Sequence, residues 1–156
     1  MAADSSPLNS KIMSKLEIIS PSLCDDLTAE AIQRLLGQLS SAHFEFTPSD
    51  LQHLISSPES QLFLLLHQGE IIGMLTVGSY SSPTGFKAWI EDVVVDKAYR
   101  GRGYGRMLID HAIAYVATLS PCTLMLTSNP ARIAANELYR ASGFEQKITN
   151  VYKMTL

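Results

Sequence analysis

The chain has 156 residues, 46% of them hydrophobic, and a formal net charge of -3. That length predicts one domain with a sizeable core, and no basic run is long enough to leave the electrostatic footprint of a nucleic-acid binder. No stretch approaches about 18 consecutive apolar residues, and the polar start MAADSSPLNSK lacks a signal-peptide hydrophobic region, so a cytoplasmic protein with no membrane partner is expected.

Residues 1–13 read as a loose polar tail, in which Met13 offers an alternative start, and residues 14–156 as the single domain. Residues 16–19 (LEII) form the first strand, ended by Ser20 and Pro21. A helix over 25–38 carries Leu27, Ala31, Leu35 and Leu39 at helical spacing. Thr47-Pro48-Ser49-Asp50 combines a capping hydroxyl, an early proline and an acid, so a second helix starts there and stops before Pro58. Residues 61–66 read as a buried strand, 67–70 as a turn, and 71–80 as the returning strand. Pro83 and Gly85 mark a loop over 81–87, before a strand over 89–95. From Gly105 a helix presents Leu108, Ile109, Ala112, Ile113 and Val116 as one stripe. A strand over 123–127 follows. The next helix starts at Asn129-Pro130 and ends at Gly143. Two short strands are expected in the tail around Asn150-Val151-Tyr152. This order predicts an α/β (α+β) protein whose mixed sheet carries helices on both faces.

Cys24 and Cys122 are far apart in sequence and read as reduced thiols. His43, His53, His67 and His111 show no metal-ligand spacing, so no metal is expected. The chemistry concentrates instead after the strand at 89–95. There Arg100-Gly101-Arg102-Gly103-Tyr104-Gly105 leads straight into a helix. Glycines at alternate positions let backbone N–H groups converge, and the helix adds its positive N-terminal end. Arg100, Arg102 and Arg106 add cationic side chains. The loop is therefore read as a phosphate site. It is neither a P-loop, which needs G-x-x-x-x-G-K-[ST], nor a dinucleotide fingerprint, which needs G-x-G-x-x-G.

What stands there is R-x-x-G-x-G, which resembles the pyrophosphate-binding loop of the GNAT N-acetyltransferase superfamily. A second segment, from Thr127-Ser128-Asn129-Pro130 through Ala135-Asn136-Glu137-Leu138-Tyr139-Arg140-Ala141-Ser142-Gly143-Phe144, resembles that family's A-x-x-L/F-Y-x-x-x-G-F motif. The resemblance implies a GNAT fold with a mostly antiparallel sheet of six to seven strands and about four helices. It implies acetyl-CoA as acetyl donor and an amine as acceptor.

By the same resemblance, backbone groups of Val93, Val94 and Val95 pair with the pantetheine amides as an added strand would. Amides of residues 101–105, Tyr104 included, hold the pyrophosphate. Arg100, Arg102 and Arg106 reach phosphate oxygens, and Asn129 and Asn136 serve the pantetheine arm. Tyr139 gives a proton to the departing thiolate, as a phenol with a reference pKa of about 10 can do at neutral pH. Glu91 is the candidate base, directly or through water. On regular alternation it shares a face with Val93 and Val95, whereas a bulge would turn Asp92 inward and give it the role.

The segment 89–95 is also similar to the corresponding strand of glucosamine-6-phosphate N-acetyltransferases, but the approach to it, 81–87, holds a single lysine, Lys87. The acceptor, a small-molecule amine or a peptide amino group, would enter near His43, Phe44, Glu45, Phe46, Tyr80, Ser81 and Lys87. A glucosamine-6-phosphate acceptor, a non-catalytic acyl-CoA-binding module and a homodimer are the alternatives left open.

Overall fold

The structure is a computed structural model that describes residues 15–41, 43 and 45–156. The expected N-terminal tail and Phe44 lie outside these residues.

Among the described residues, five strands form one sheet in the order β1-β2-β3-β4-β5. They are β1 (Leu16–Ile19), β2 (Ser60–His67), β3 (Glu70–Ser82), β4 (Gly85–Val95) and β5 (Thr123–Leu126). Neighbours from β1 to β4 are antiparallel, and β4 and β5 are parallel. The helices are α1 (Asp26–Leu39), α2 (Pro48–Ser56), α3 (Tyr104–Ala117) and α4 (Ile133–Ala141).

Strand alternation sorts the core onto two faces. Leu62 and Leu64 of β2 pack with Ile32 and Leu35 of α1 and Leu51 of α2. Phe63 and Leu65 point the other way, toward Leu108, Ile109, Ala112 and Val116 of α3 and Tyr139 of α4. The α3 stripe expected from the sequence is therefore the buried one, with Ile113 half-buried beside it. In α1 the buried face is centred on Ala29, Ile32 and Leu35, and Leu27 is left 77% exposed. Asp25 caps α1 by accepting from the Thr28 N–H at 2.8 Å, which sets where the helix turns begin and hence which face meets the sheet. Thr47 and Asp50 cap α2 reciprocally in a capping box.

Three expectations are corrected. Residues 81–87 are not a loop: β3 runs to Ser82 and β4 starts at Gly85, paired Ser82 to Gly85 across a tight hairpin. Gly85, at φ 116°, makes the reversal possible, and Lys87 donates across it to Ser82 and to Thr84. α4 begins at Ile133, not at Asn129, because the Asn129 side chain closes its own short turn onto the Ala131 N–H at 2.8 Å. The tail after Phe144 forms no strand, so among the described residues the sheet has five strands where six to seven were expected. A short hairpin needs an apolar face to dock, and Ile148, Val151, Tyr152 and Met154 stay exposed here.

Candidate active site

The site is built where β4 loses regularity. Between Thr76 and Met74, two steps along β3 are matched by three along β4, from Glu91 to Val94. The extra residue is accommodated at Asp92, whose φ of 54° lies in the left-handed region. The bulge reverses which side chains face which side. Ala88 and Ile90 pack on the α3 face, but Val94 packs on the α1–α2 face. Val93 and Val95 now face α3. Glu91, next to Ile90 and before the bulge, therefore does not share a face with Val93 and Val95 as regular alternation predicts.

The parallel partner ends at the same point. β5 pairs with β4 from Lys87–Thr123 to Ile90–Leu126 and no further. Beyond Ile90 the β4 edge has no strand on that side among the described residues. Such an edge presents backbone N–H and C=O groups to whatever enters.

A cavity of about 210 Å³ occupies this splay, lined by Leu39, Ile90, Glu91, Asp92, Val93, Leu126, Thr127, Arg132 and Tyr139. Both candidate bases and the candidate acid thus meet one space. Burial raises the Glu91 carboxyl above its ordinary pKa, and the Asp92 charge raises it further. Burial raises Asp92 as well. Both side chains keep surface exposure because the cleft opens to solvent, yet the cleft walls strip enough water to disfavour charge. Tyr139 is 7% exposed, with its ring edge-on to Phe144 at 6.2 Å. Burial pushes its phenol up, and the Arg132 charge pulls it partly back. A second cavity, about 240 Å³ and lined by Pro21, Ile55, Pro58 and Gln61 among others, shares no residue with this one and has no ionisable lining.

The glycine loop follows directly. Asp96 caps a 3-10 turn, Lys97–Tyr99, by accepting from the Ala98 N–H at 3.0 Å. Gly101 and Gly103 have φ of 76° and 80°, and Gly103 enters α3 without a side-chain cap. The first N–H groups of α3, on Tyr104, Gly105 and Arg106, have no intrahelical acceptor and face the loop end. A Cβ on Gly101 or Gly103 would meet nothing within 4 Å, so these glycines serve the left-handed backbone conformation and not internal packing. Gly105 is different: its Cβ would sit 3.3 Å from Leu138 of α4, so it sets helix packing.

The three arginines diverge. The Arg102 guanidinium lies over the Tyr99 ring at 5.4 Å, beside the loop. Arg100 turns back, its Nε donating to the Val95 carbonyl at 2.9 Å. Arg106 Nε is paired with both Asp110 oxygens at 2.7 and 2.9 Å, and its Nη1 donates to the Ala141 carbonyl at 3.1 Å. Asn136 donates from Nδ2 to the carbonyls of Asn129 and Arg132, both at 2.9 Å, and so ties the loop after β5 to α4.

Sequence reasoning missed Arg132 and Asp96. Arg132 is the residue that enters α4, and it lines the same cavity as Tyr139. Asp96 is buried and accepts from Arg34 and, at 3.2 Å, from Gln38 Nε2. Its carboxyl is held below the ordinary range, chiefly by the Ala98 N–H, with Gln38 and Arg34 adding to that. Gln38 also accepts from the Lys97 N–H at 2.8 Å, so α1 grips the turn that launches the loop. No sequence motif marks a bond between residues 62 positions apart.

The profile of the acetyltransferase (GNAT) family matches residues 27–144. The chain belongs to that family. Membership makes it an acetyl-CoA-dependent N-acetyltransferase by class. Solved structures of the same fold include an aminoglycoside acetyltransferase from an uncultured soil metagenomic sample, in complex with trehalose, at 21% identity and TM-score 0.74, covering 90% of this chain and 97% of that one. Glucosamine-6-phosphate N-acetyltransferase from Arabidopsis thaliana matches at 18% identity and TM-score 0.74, covering 90% and 98%. The aminoglycoside N-acetyltransferase AAC(6')-Iy, in complex with CoA, matches at 18% and 0.72, covering 91% and 95%. No curated protein matches the chain. Among the described residues, no helix is long and apolar enough to cross a membrane, and no three His, Cys, Asp or Glu side chains group as a metal site.

Proposed function

We propose that the chain moves an acetyl group from acetyl-CoA to a primary amine by direct attack, with both substrates bound at the β4–β5 splay. One observation carries the reading: Glu91, Asp92 and Tyr139 line one cavity beside an unpaired strand edge.

The residues present fit acetyl-CoA. The open edge of β4 offers backbone groups at Val93 and Val95 to an extended amide-bearing arm. The glycine loop and the uncapped start of α3 offer N–H groups to a diphosphate, and Arg102 offers a cation nearby. When bound, the thioester supplies the acetyl carbon that an amine attacks.

The chain's own groups then manage two protons. An alkyl amine has a pKa near 10.4 and is almost wholly charged at pH 7, so it must lose a proton before attack. Glu91 or Asp92 takes it, directly or through water, and the raised pKa of each brings its basicity toward the working range. As the C–N bond forms and the C–S bond breaks, Tyr139 gives its proton to the leaving sulfur, and the second proton that the nitrogen sheds on becoming an amide passes through water to restore the phenol. The adjacent Arg132 charge offsets the cost of a buried phenolate. Two carboxylates against one arginine also suit a cationic acceptor better than a phosphorylated one. Lys87, the single lysine on the approach, is engaged with Ser82 and Thr84.

A thiol-release assay with acetyl-CoA over amino sugars, polyamines, amino acids and peptide N-termini tests this. Release with at least one amine is expected. Acetyl-CoA binding with no release across the panel would favour a non-catalytic acyl-CoA-binding module.

A further inference from the structure

Gln38 stands on the last turn of α1, half-buried, and uses both ends of its amide on the segment that leads out of β4. Its Oε1 accepts from the Lys97 N–H at 2.8 Å, and its Nε2 donates to Asp96 Oδ2 at 3.2 Å. The Lys97 N–H opens the 3-10 turn, so no bond inside that turn can satisfy it. Arg34, four residues earlier on the same helix face, donates to the same Asp96 oxygen but to no backbone group of the turn. The glycine loop beyond has little of its own to fix it in place. Gly101 and Gly103 have no side chains to pack, Arg100 turns back to the Val95 carbonyl, and Arg102 lies over Tyr99, so both arginines hold to their own segment. The loop is therefore placed from its two ends. One end is α3, where Gly105 lies against Leu138. The other is the 3-10 turn, held to β3 by the Asp96 N–H on the Ile72 carbonyl at 2.8 Å and by the Tyr99 hydroxyl on Glu70 at 3.0 Å, and held to α1 by Gln38.

We infer that Gln38 is a positioning residue for the cofactor: without touching acetyl-CoA, it holds the root of the glycine loop where the loop amides converge. The inference rests on the reading, proposed above, that this loop takes the diphosphate. A convergent set of N–H groups binds well only if it is already arranged, because a ligand that must order the loop gives up affinity to do so. A side chain with one donor end and one acceptor end, both engaged on consecutive residues, fixes the turn in position and in rotation. Removing it leaves the turn on its β3 bonds alone. The loop then samples placements in which its amides diverge, and binding has to bring them back together.

The test compares wild type, Gln38→Met and Gln38→Asn by thermal melting, by calorimetry with acetyl-CoA, and by steady-state kinetics with an amine that the wild type acetylates. Gln38→Met keeps the length and removes both polar ends. Gln38→Asn keeps the amide but is one methylene too short to reach the turn, so it separates reach from polarity and serves as the second variant should the first fail to fold. Each is expected to bind acetyl-CoA about five- to thirty-fold more weakly, each lost net hydrogen bond being worth about five-fold. The KM for acetyl-CoA should rise by a similar factor, while kcat at saturating acetyl-CoA and the KM for the amine stay at their wild-type values. Wild-type affinity in the folded variants, whether or not they melt lower, would overturn the inference, leave the loop as the diphosphate site and make Gln38 a stability residue only. A fall in kcat with a matching rise in the amine KM would also overturn it, because the damage would then not be confined to the loop. Wild-type protein that fails to bind acetyl-CoA at all would overturn the underlying reading as well.

Discussion

The two halves of β4 share a strand and little else. Residues 87–90 are held on both sides, by β3 and by β5, and alternate regularly between the two faces of the sheet. Residues 91–95 keep β3 alone, carry a bulge at Asp92 and face open space where β5 has ended. The first half is paired to a strand on each side, so its backbone holds the sheet together and has no open edge to offer. The second has unspent hydrogen-bonding groups, two carboxylates with raised pKa and a glycine loop at its end. On the function proposed above, the chemistry that binds and transforms a ligand lies where the ladder is interrupted, and the closed half is the scaffold that keeps the interruption in place.

That contrast can be broken most severely at the loop. Gly103 is held at φ 80°, where a β-branched residue costs roughly 1–2 kcal/mol, but its Cβ would meet nothing in the free protein. Gly103→Val is expected to leave the fold assembled and to abolish acetyl-CoA binding in calorimetry. Unchanged affinity would remove the loop from the site.

Asp96 joins the open half to α1. Asp96→Ala removes one bond from each of Arg34 and Gln38, which keep the Ile71 carbonyl and the Lys97 N–H, and leaves the Ala98 N–H without its side-chain acceptor, so chemical denaturation should show a loss of about 1–3 kcal/mol. Its pKa is lowered in the folded chain, so its contribution is present above the ordinary carboxylate range and is lost as pH falls through the lowered value. The mutant should therefore lose part of the wild type's sensitivity to acid.

Tyr139→Phe keeps the ring against Phe144 and deletes the proton donor. It should retain acetyl-CoA binding and lose at least about ten-fold in kcat, about 1.4 kcal/mol of barrier, in steady-state kinetics. An unchanged kcat would make Tyr139 a packing residue.

Glu91→Gln sharpens the comparison with the smallest effect. The raised pKa means the folded chain holds this proton more tightly than the unfolded chain, so stability falls as pH rises from the ordinary carboxylate range through the raised value. The mutant escapes that penalty and should melt at or above the wild-type temperature at neutral pH. Its kcat/KM should fall most at neutral pH and recover partly as free amine becomes abundant. A uniform loss at every pH would point to positioning, and no loss would move the role to Asp92 or to water.

Much of the open half was legible in the sequence because its chemistry is local. The alternate glycines, the preceding strand and the following helix are contiguous, so R-x-x-G-x-G could be placed without a structure. Tyr139 and Asn136 share a helix, so their spacing was informative too. The bulge was not legible in the residues, because an aspartate in the left-handed region looks like any other aspartate, and regular alternation then put Glu91 on the wrong face. Pro83 and Gly85 suggested a longer loop than the tight hairpin that forms. The Arg34–Asp96 bond depends on which segments meet in space, and no local pattern carries that.

The central claim is that acetyl-CoA completes the open half of β4 as a missing strand would. Residue-resolved amide hydrogen exchange, with and without saturating acetyl-CoA, tests it directly. Protection is expected to rise at Val93, Val95 and the amides of residues 101–105, with little change over residues 87–90, which are already paired on both sides. Acetyl-CoA binding that leaves the 93–95 and 101–105 amides exchanging at their free rates would contradict the account.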